Sequence, residues 1–252
     1  MTFALRNCQE LDSAQFARML EHSPGKAAQA LLAAAGQDIV EAQLLLGQIL
    51  LDGRGIEKDP ALARRWFAIA AKRGSAMAHN MLGRCLEHGW GGAPDVSTAA
   101  TAYRQAAEMG LDWGLYNYAN LLGTGRGVVQ NQPLALRCYR QAAHMGHAKS
   151  MNLYGRYLEQ GLACERNIGL AQDWYRRSAE AGDFRGQFSY ATVLVEGNQF
   201  GEALAWFDKA LEGGNLNFLR SSVSTLQQVQ DARLLPVLHA YEQRLALVQL
   251  SR

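Results

Sequence analysis

Proline is scarce in this sequence, and so are cysteine, charge of one sign and long apolar runs. Five prolines in 252 residues leave helices largely uninterrupted, whereas 25 glycines supply frequent turns. The four cysteines, Cys8, Cys85, Cys138 and Cys164, are scattered without a Cys-x-x-Cys pair, which fits buried or incidental thiols better than a disulfide framework. No apolar run approaches membrane-spanning length, so no membrane association is expected. The 25 Lys and Arg nearly balance the 23 Asp and Glu, and a net charge of +2 withholds the electrostatic footprint that nucleic-acid binding needs. Met1 to Ser13 carries Arg6, Glu10 and Asp12 and no apolar core of signal-peptide length, so the expected compartment is the cytoplasm.

Chemistry-bearing motifs are missing as well. There is no phosphate-binding glycine loop followed by Lys-Ser or Lys-Thr, no nucleophile elbow and no zinc-type His-Glu-x-x-His. Gly53-Arg54-Gly55 and Gly125-Arg126-Gly127 resemble phosphate loops only superficially, because they recur with a repeat and lead from helix to helix. His144 and His147 stand three apart, a spacing seen in metal sites, but no carboxylate lies near enough in sequence to complete a ligand set. The expectation is a chain that is not an enzyme, with no catalytic residue, no metal and no cofactor.

What the sequence does have is a period. Ala42 to Gly55 reads AQLLLGQILLDGRG, and thirty-six residues later Ala78 to Gly91 reads AHNMLGRCLEHGWG. The Ala70-Ala71 pair returns as Ala106-Ala107, Ala142-Ala143 and Ser178-Ala179, Gly74 returns as Gly110, Gly146 and Gly182, and Phe67 returns as Tyr103, Tyr139 and Tyr175. A fifth unit keeps Tyr190-Ala191, Gly197, Trp206-Phe207 and Gly214 but is four residues shorter between its helices. Within a unit, Ala42, Leu46 and Leu50, then Leu62, Trp66, Phe67 and Ala70, fall at three-and-four spacing, which gives two amphipathic helices. Gly47, Gly83 and Gly155, with Ala119 and Ala191 at the same place, would let a neighbouring helix approach closely. Asp59-Pro60 reads as an N-cap and a first-turn proline, with Asp95, Asn131 and Asn167 at the same cap position, and Gly74, Gly110, Gly146 and Gly182 read as left-handed helix ends.

This pattern of Ala, Leu-Gly, Gly-x-Gly, Asp, Trp-Tyr, Ala-Ala and Gly resembles the Sel-one-like repeat family, relatives of the tetratricopeptide repeats, over about Ala42 to Gly214. Cys138, in place of Trp66 and Trp174, and Ala163, in place of the second loop glycine, depart from it. The resemblance implies an all-α, right-handed α/α superhelical solenoid of helix-turn-helix repeats and an adaptor role in protein complexes, often in bacterial regulation. The expected organisation is an N-terminal helical cap over 1–41, five repeats over 42–77, 78–113, 114–149, 150–185 and 186–217, and a C-terminal helical cap over 218–252. Helices are expected at Ser13 to Glu21 and Gly25 to Ala35 in the first cap, and at Phe218 to Val229 and Arg233 to Leu250 in the second. The last of these carries Leu234, Leu238, Tyr241, Leu245 and Val248 on one stripe, fit to seal the array or to contact a partner.

In the related tetratricopeptide architecture the first helix of each repeat lines the concave surface. By that analogy Asn80 and Arg84, Tyr116 and Asn120, and Asn152 and Arg156 share groove positions one turn apart, extended by His88, Asn117 and Gln160, with Phe188 at an apolar end. Arginine offers a planar fork for a carboxylate, and asparagine offers both a donor and an acceptor to a peptide backbone. The expected function is therefore a non-catalytic adaptor or regulatory subunit binding a protein or peptide in this groove, with an acidic or C-terminal carboxylate segment as ligand. The opposing possibilities are solvated side chains, or arginines paired with Glu87 and Glu159. Two alternatives stand beside it: an enzyme or small-molecule binder using the same polar residues, and a C-terminal helix that docks a partner or makes a homodimer. The expected state is a monomer or weak homodimer.

Overall fold

A computed structural model describes residues 3–4, 10–11, 18–19, 21–229 and 231–250, and in it the sequence period becomes a succession of helical hairpins. A two-residue strand pair comes first, β1 (Phe3–Ala4) antiparallel to β2 (Glu10–Leu11) with Phe3 opposite Leu11. The helix expected from Ser13 to Glu21 lies largely outside the described residues.

The chain divides into two compact units, Met1–Asn131 and Gln132–Arg252, so the division falls between the two helices of the third repeat. The first unit contains α1 (Pro24–Ala35), α2 (Val40–Asp52), α3 (Pro60–Lys72), α4 (Ala76–His88), α5 (Val96–Glu108) and α6 (Asp112–Thr124). The second contains α7 (Gln132–His144), α8 (Ala148–Gln160), α9 (Ile168–Glu180), α10 (Phe184–Glu196), α11 (Phe200–Gly213), α12 (Leu216–Gln228), a short 3-10 turn at Ala232–Leu234 and α13 (Leu235–Leu250). Apart from the strand pair this is an all-α solenoid of helix-turn-helix repeats.

The helix ends follow from the residues at them. Asp59, Asp95 and Asn167 each accept a hydrogen bond from the backbone N–H three residues on, at 2.9, 3.0 and 2.9 Å, which satisfies one of the donors a helix start leaves open. Gly74, Gly110, Gly146 and Gly182 turn the chain out of each second helix with φ of 80 to 95°. The Gly-x-Gly loop needs two left-handed residues, and Ala163 takes that conformation (φ 56°) where Gly55, Gly91 and Gly127 do elsewhere.

Within each unit, helices adjacent in sequence pack on one another as far as α11, α12 packs on α13, and the first helices also stack: α4 on α6 in the first unit, α8 on α10 in the second. In the first, second and fourth repeats the glycine of the first helix lies under the aromatic ring of the second helix. A Cβ added at Gly47, Gly83 or Gly155 would sit 2.6 Å from the Phe67 ring, 2.6 Å from that of Tyr103 and 2.8 Å from that of Tyr175. The expected close approach is thus made by a buried ring seated on backbone.

The two ends of the array are covered by helix. In the first unit α1 contributes Ala27, Ala28, Leu31, Ala34 and Ala35 to the core of the first repeat. In the second, Leu234, Val237 and Tyr241 are buried against α10, α11 and α12, with Leu238, Leu245 and Val248 packed on the same cluster. The C-terminal stripe is therefore turned inward. Among the described residues no helix is long and apolar enough to cross a membrane.

Candidate functional site

In the first unit the groove residues are largely engaged with one another. Asn80 is buried, and its Oδ1 accepts a 2.8 Å hydrogen bond from Asn117 Nδ2 on the next first helix, α6. Arg84 is half-buried and lies over the Trp90 ring, 5.0 Å from its centroid; exposed His88 stacks on the same ring at 5.1 Å. Trp90 comes from the Gly-x-Gly loop, so the loop supplies the surface on which both side chains rest. Arg84 does not pair with Glu87. That carboxylate accepts from the Tyr103 hydroxyl at 2.8 Å and meets Arg126 at 3.1 Å, and in the second unit Tyr175 donates to Glu159 in the same way at 2.8 Å. Burial and the neighbouring carboxylate together hold both phenols well above their usual pKa, so they remain donors. Tyr116 is half-buried and edge-on to Trp113 at 6.0 Å, and the Asn120 carbonyl accepts from Thr124 Oγ1 at 2.7 Å. A pocket of about 350 Å³ opens beside Arg84, lined also by Gln48, Asp52, Lys58, Met81 and Trp90. Its charges are mixed, and Asp52 is already bound by Gln48 Nε2 at 3.0 Å.

The second unit is arranged differently. Asn152 and Arg156 on α8, Arg185, Phe188 and Ser189 on α10, and Asn217, Phe218, Ser221, Ser222 and Thr225 on α12 line one pocket of about 360 Å³. Two guanidinium groups face it and no acidic side chain lines it. Arg185 stacks on the Phe184 ring at 4.6 Å, and among the described residues no carboxylate lies within ion-pair distance of Arg185 or Arg156. Asn152 is 7% exposed, and its Oδ1 is buried without a hydrogen-bond partner. Of the groove residues expected in this unit, the fold brings Asn152, Arg156 and Phe188 together; Gln160 is exposed at the end of α8 and is not part of the lining.

The sequence pattern missed Arg185, Ser189 and the α12 residues. Asn215 caps α12 by accepting from Phe218 N–H at 3.0 Å, as Asp183 caps α10 and Ser75 caps α4. Such a cap also opens second helices, at Asp59, Asp95 and Asn167, so it could not by itself have placed α12 beside the first helices.

The histidine pair resolves into two structural roles. His147 caps α8, its Nδ1 accepting from Ser150 N–H at 3.2 Å, while the His144 ring packs edge-on to Trp174 at 5.0 Å. Among the described residues no cluster of three or more His, Cys, Asp or Glu is placed to hold a metal. Cys85 is buried, and desolvation pushes its thiol up to about 11, which keeps it unreactive. Cys8 lies outside the described residues.

Stacked helix hairpins with a small residue under an aromatic ring, and with a polar pocket on the first-helix layer, define a repeat scaffold of the α/α class. The Sel1 repeat pattern matches residues 40–75, 76–111, 114–147, 148–183 and 195–215, and the chain belongs to the Sel1 repeat family. The first, second and fourth matches run two residues ahead of the bounds expected from the spacing, the third begins at the expected residue, and the fifth begins only at 195 and is short, where the sequence itself contracts. Among solved structures, a Sel1 repeat protein from Oxalobacter formigenes is 24% identical, with a TM-score of 0.77 over 92% of this chain and 95% of that one. A protective antigen of uropathogenic Escherichia coli strains with the same repeat fold is also 24% identical, with a TM-score of 0.71; the match covers 93% of this chain but 52% of that one, about half its length. An immunity protein from Pseudomonas aeruginosa is 17% identical with a TM-score of 0.52, over 83% of this chain and 79% of that one. A comparison with curated proteins gives no match. Sel1 repeat proteins are generally protein-interaction scaffolds, and the fold is typically non-catalytic.

Proposed function

We propose that this chain is a non-catalytic adaptor that holds a partner protein by an extended, negatively charged segment of that partner, seated on the first-helix layer of the second unit. The observation that carries this reading is the pocket that Arg156 and Arg185 both line and to whose lining no acidic side chain contributes. An arginine fork is suited to a carboxylate, and Phe188 and Phe218 beside it supply the apolar surface that orients a peptide side chain. The polar serines and Thr225 along α12 extend the same surface toward backbone groups of a ligand. Arg84 and its pocket contribute less, because Asp52 already offsets the charge there.

The test is affinity capture from native cytosol with the wild type and an Arg156→Ala, Arg185→Ala double variant, both checked for helical content by circular dichroism. A partner held by the wild type and lost by the variant supports the pocket. A partner held equally by both overturns it.

A further inference from the structure

The two units carry the same asparagine at the same place of a first helix, two repeats apart, in opposite states. Asn80 is closed by Asn117, thirty-seven residues further on. The residue thirty-seven beyond Asn152 is Ser189, whose side chain is shorter by an amide group, and the Asn152 carbonyl oxygen is left buried without a partner. A buried polar atom without a hydrogen bond is costly, and native folds tend to retain one where something else supplies the bond. Gln43, Trp66, His79 and Asp183 also hold such an atom, but none of them lines a pocket described above. Asn152 lines its pocket, beside Arg156 and Arg185.

These groups together specify a ligand. The arginines require an anion with two or more acceptor oxygens, and Asn152 requires an N–H donor close to that anion. The last residue of a polypeptide has both, an α-carboxylate and its own amide N–H. A pocket of about 360 Å³ has room for the last residue of a chain. Resting on the function proposed above, we infer that the second unit captures the free C-terminus of its partner: Arg156 and Arg185 hold the carboxylate, Asn152 holds the terminal amide, and Phe188 and Phe218 receive an apolar last side chain.

The test uses the full chain and an array of random heptapeptides, each synthesised once with a free C-terminal carboxylate and once as the C-terminal amide. Loss of a charge-assisted hydrogen bond predicts binding weaker by about tenfold or more for each amide than for its free-acid twin. Ser189→Asn is expected to weaken the free-acid peptides by a similar factor, by giving Asn152 the internal partner that Asn80 has, without lowering the melting temperature. Equal binding of acids and amides overturns C-terminal capture while leaving a peptide groove in place. Peptides that fail in both forms, with the cytosolic partner still lost in the Arg156, Arg185 double variant, overturn it in favour of a folded partner surface. If that partner is retained as well, the pocket itself is excluded.

Discussion

The first unit spends its groove asparagines on each other, Asn80 with Asn117, whereas the second leaves Asn152 beside two arginines with nothing to close it. The same hairpin therefore gives either a self-satisfied wall or a receptive one, depending on a single side chain in the next repeat. The loops differ in the same fashion: Gly127 in the first unit and Ala163 in the second hold the same left-handed conformation, the one without strain and the other with it.

The largest effect is expected where that second contrast is forced. Gly127→Ala combines a left-handed backbone (φ 69°) with a Cβ placed 2.6 Å from the Val96 carbonyl carbon, so a loss of about 3 kcal/mol is expected in urea denaturation. Breaking the asparagine pair comes next. Asn117→Ala leaves Asn80 Oδ1 buried and unbonded and should cost about 2 kcal/mol, while Ser189→Ala in the second unit should stay within about 0.5 kcal/mol, since Asn152 already lacks a partner there. Similar losses at both sites in chemical denaturation would erase the distinction between the units. Ala163→Gly should gain about 1 kcal/mol by relieving the left-handed alanine, bringing the second unit's loop to the state of the first.

The smallest effect concerns the caps. Ser75 caps its first helix without charge, whereas Asp183 does so with a buried carboxyl that desolvation holds above its ordinary pKa. A raised carboxyl pKa means that the folded state binds the proton more tightly than the unfolded one, so its stabilising share is complete below the unfolded value of 3.8 and is lost as pH rises through the folded value. Asp183→Asn, which keeps the cap acceptor without the charge, should therefore melt higher than the wild type at neutral pH, by a few degrees. The gap should close as pH falls toward 3.8, and a gap that is constant with pH would assign the effect to something other than the charge.

Much of this architecture was legible because the repeat shows each choice several times. Gly47, Gly83 and Gly155 at one offset and Phe67, Tyr103 and Tyr175 at another already stated that a ring covers a glycine. The capping Asp and Asn residues and the closing glycines were equally plain. The pocket was less so. Asn152, Arg156 and Phe188 follow from first-helix spacing, but Arg185 stands just outside the positions that spacing selects, and α12 carries too little of the repeat pattern to be read as another first helix. Periodicity also cannot report that Asn80 finds Asn117 and that Asn152 does not find Ser189, because that depends on the reach of one side chain across two repeats.

The hydroxyl of Tyr103 on Glu87 and that of Tyr175 on Glu159 carry a consequence for how such a chain changes length. At the same two places the first repeat has Leu51 with Phe67 and the fifth has Val195 with Phe207, each pair within one apolar cluster. The acid and the phenol were exchanged together for two hydrocarbons, within one hairpin. Duplication or deletion of the fourth repeat would thus bring in or remove a matched pair, whereas the second shares Glu87 with Arg126 of the next repeat and the third has Gly123 in the acid's place beside Tyr139.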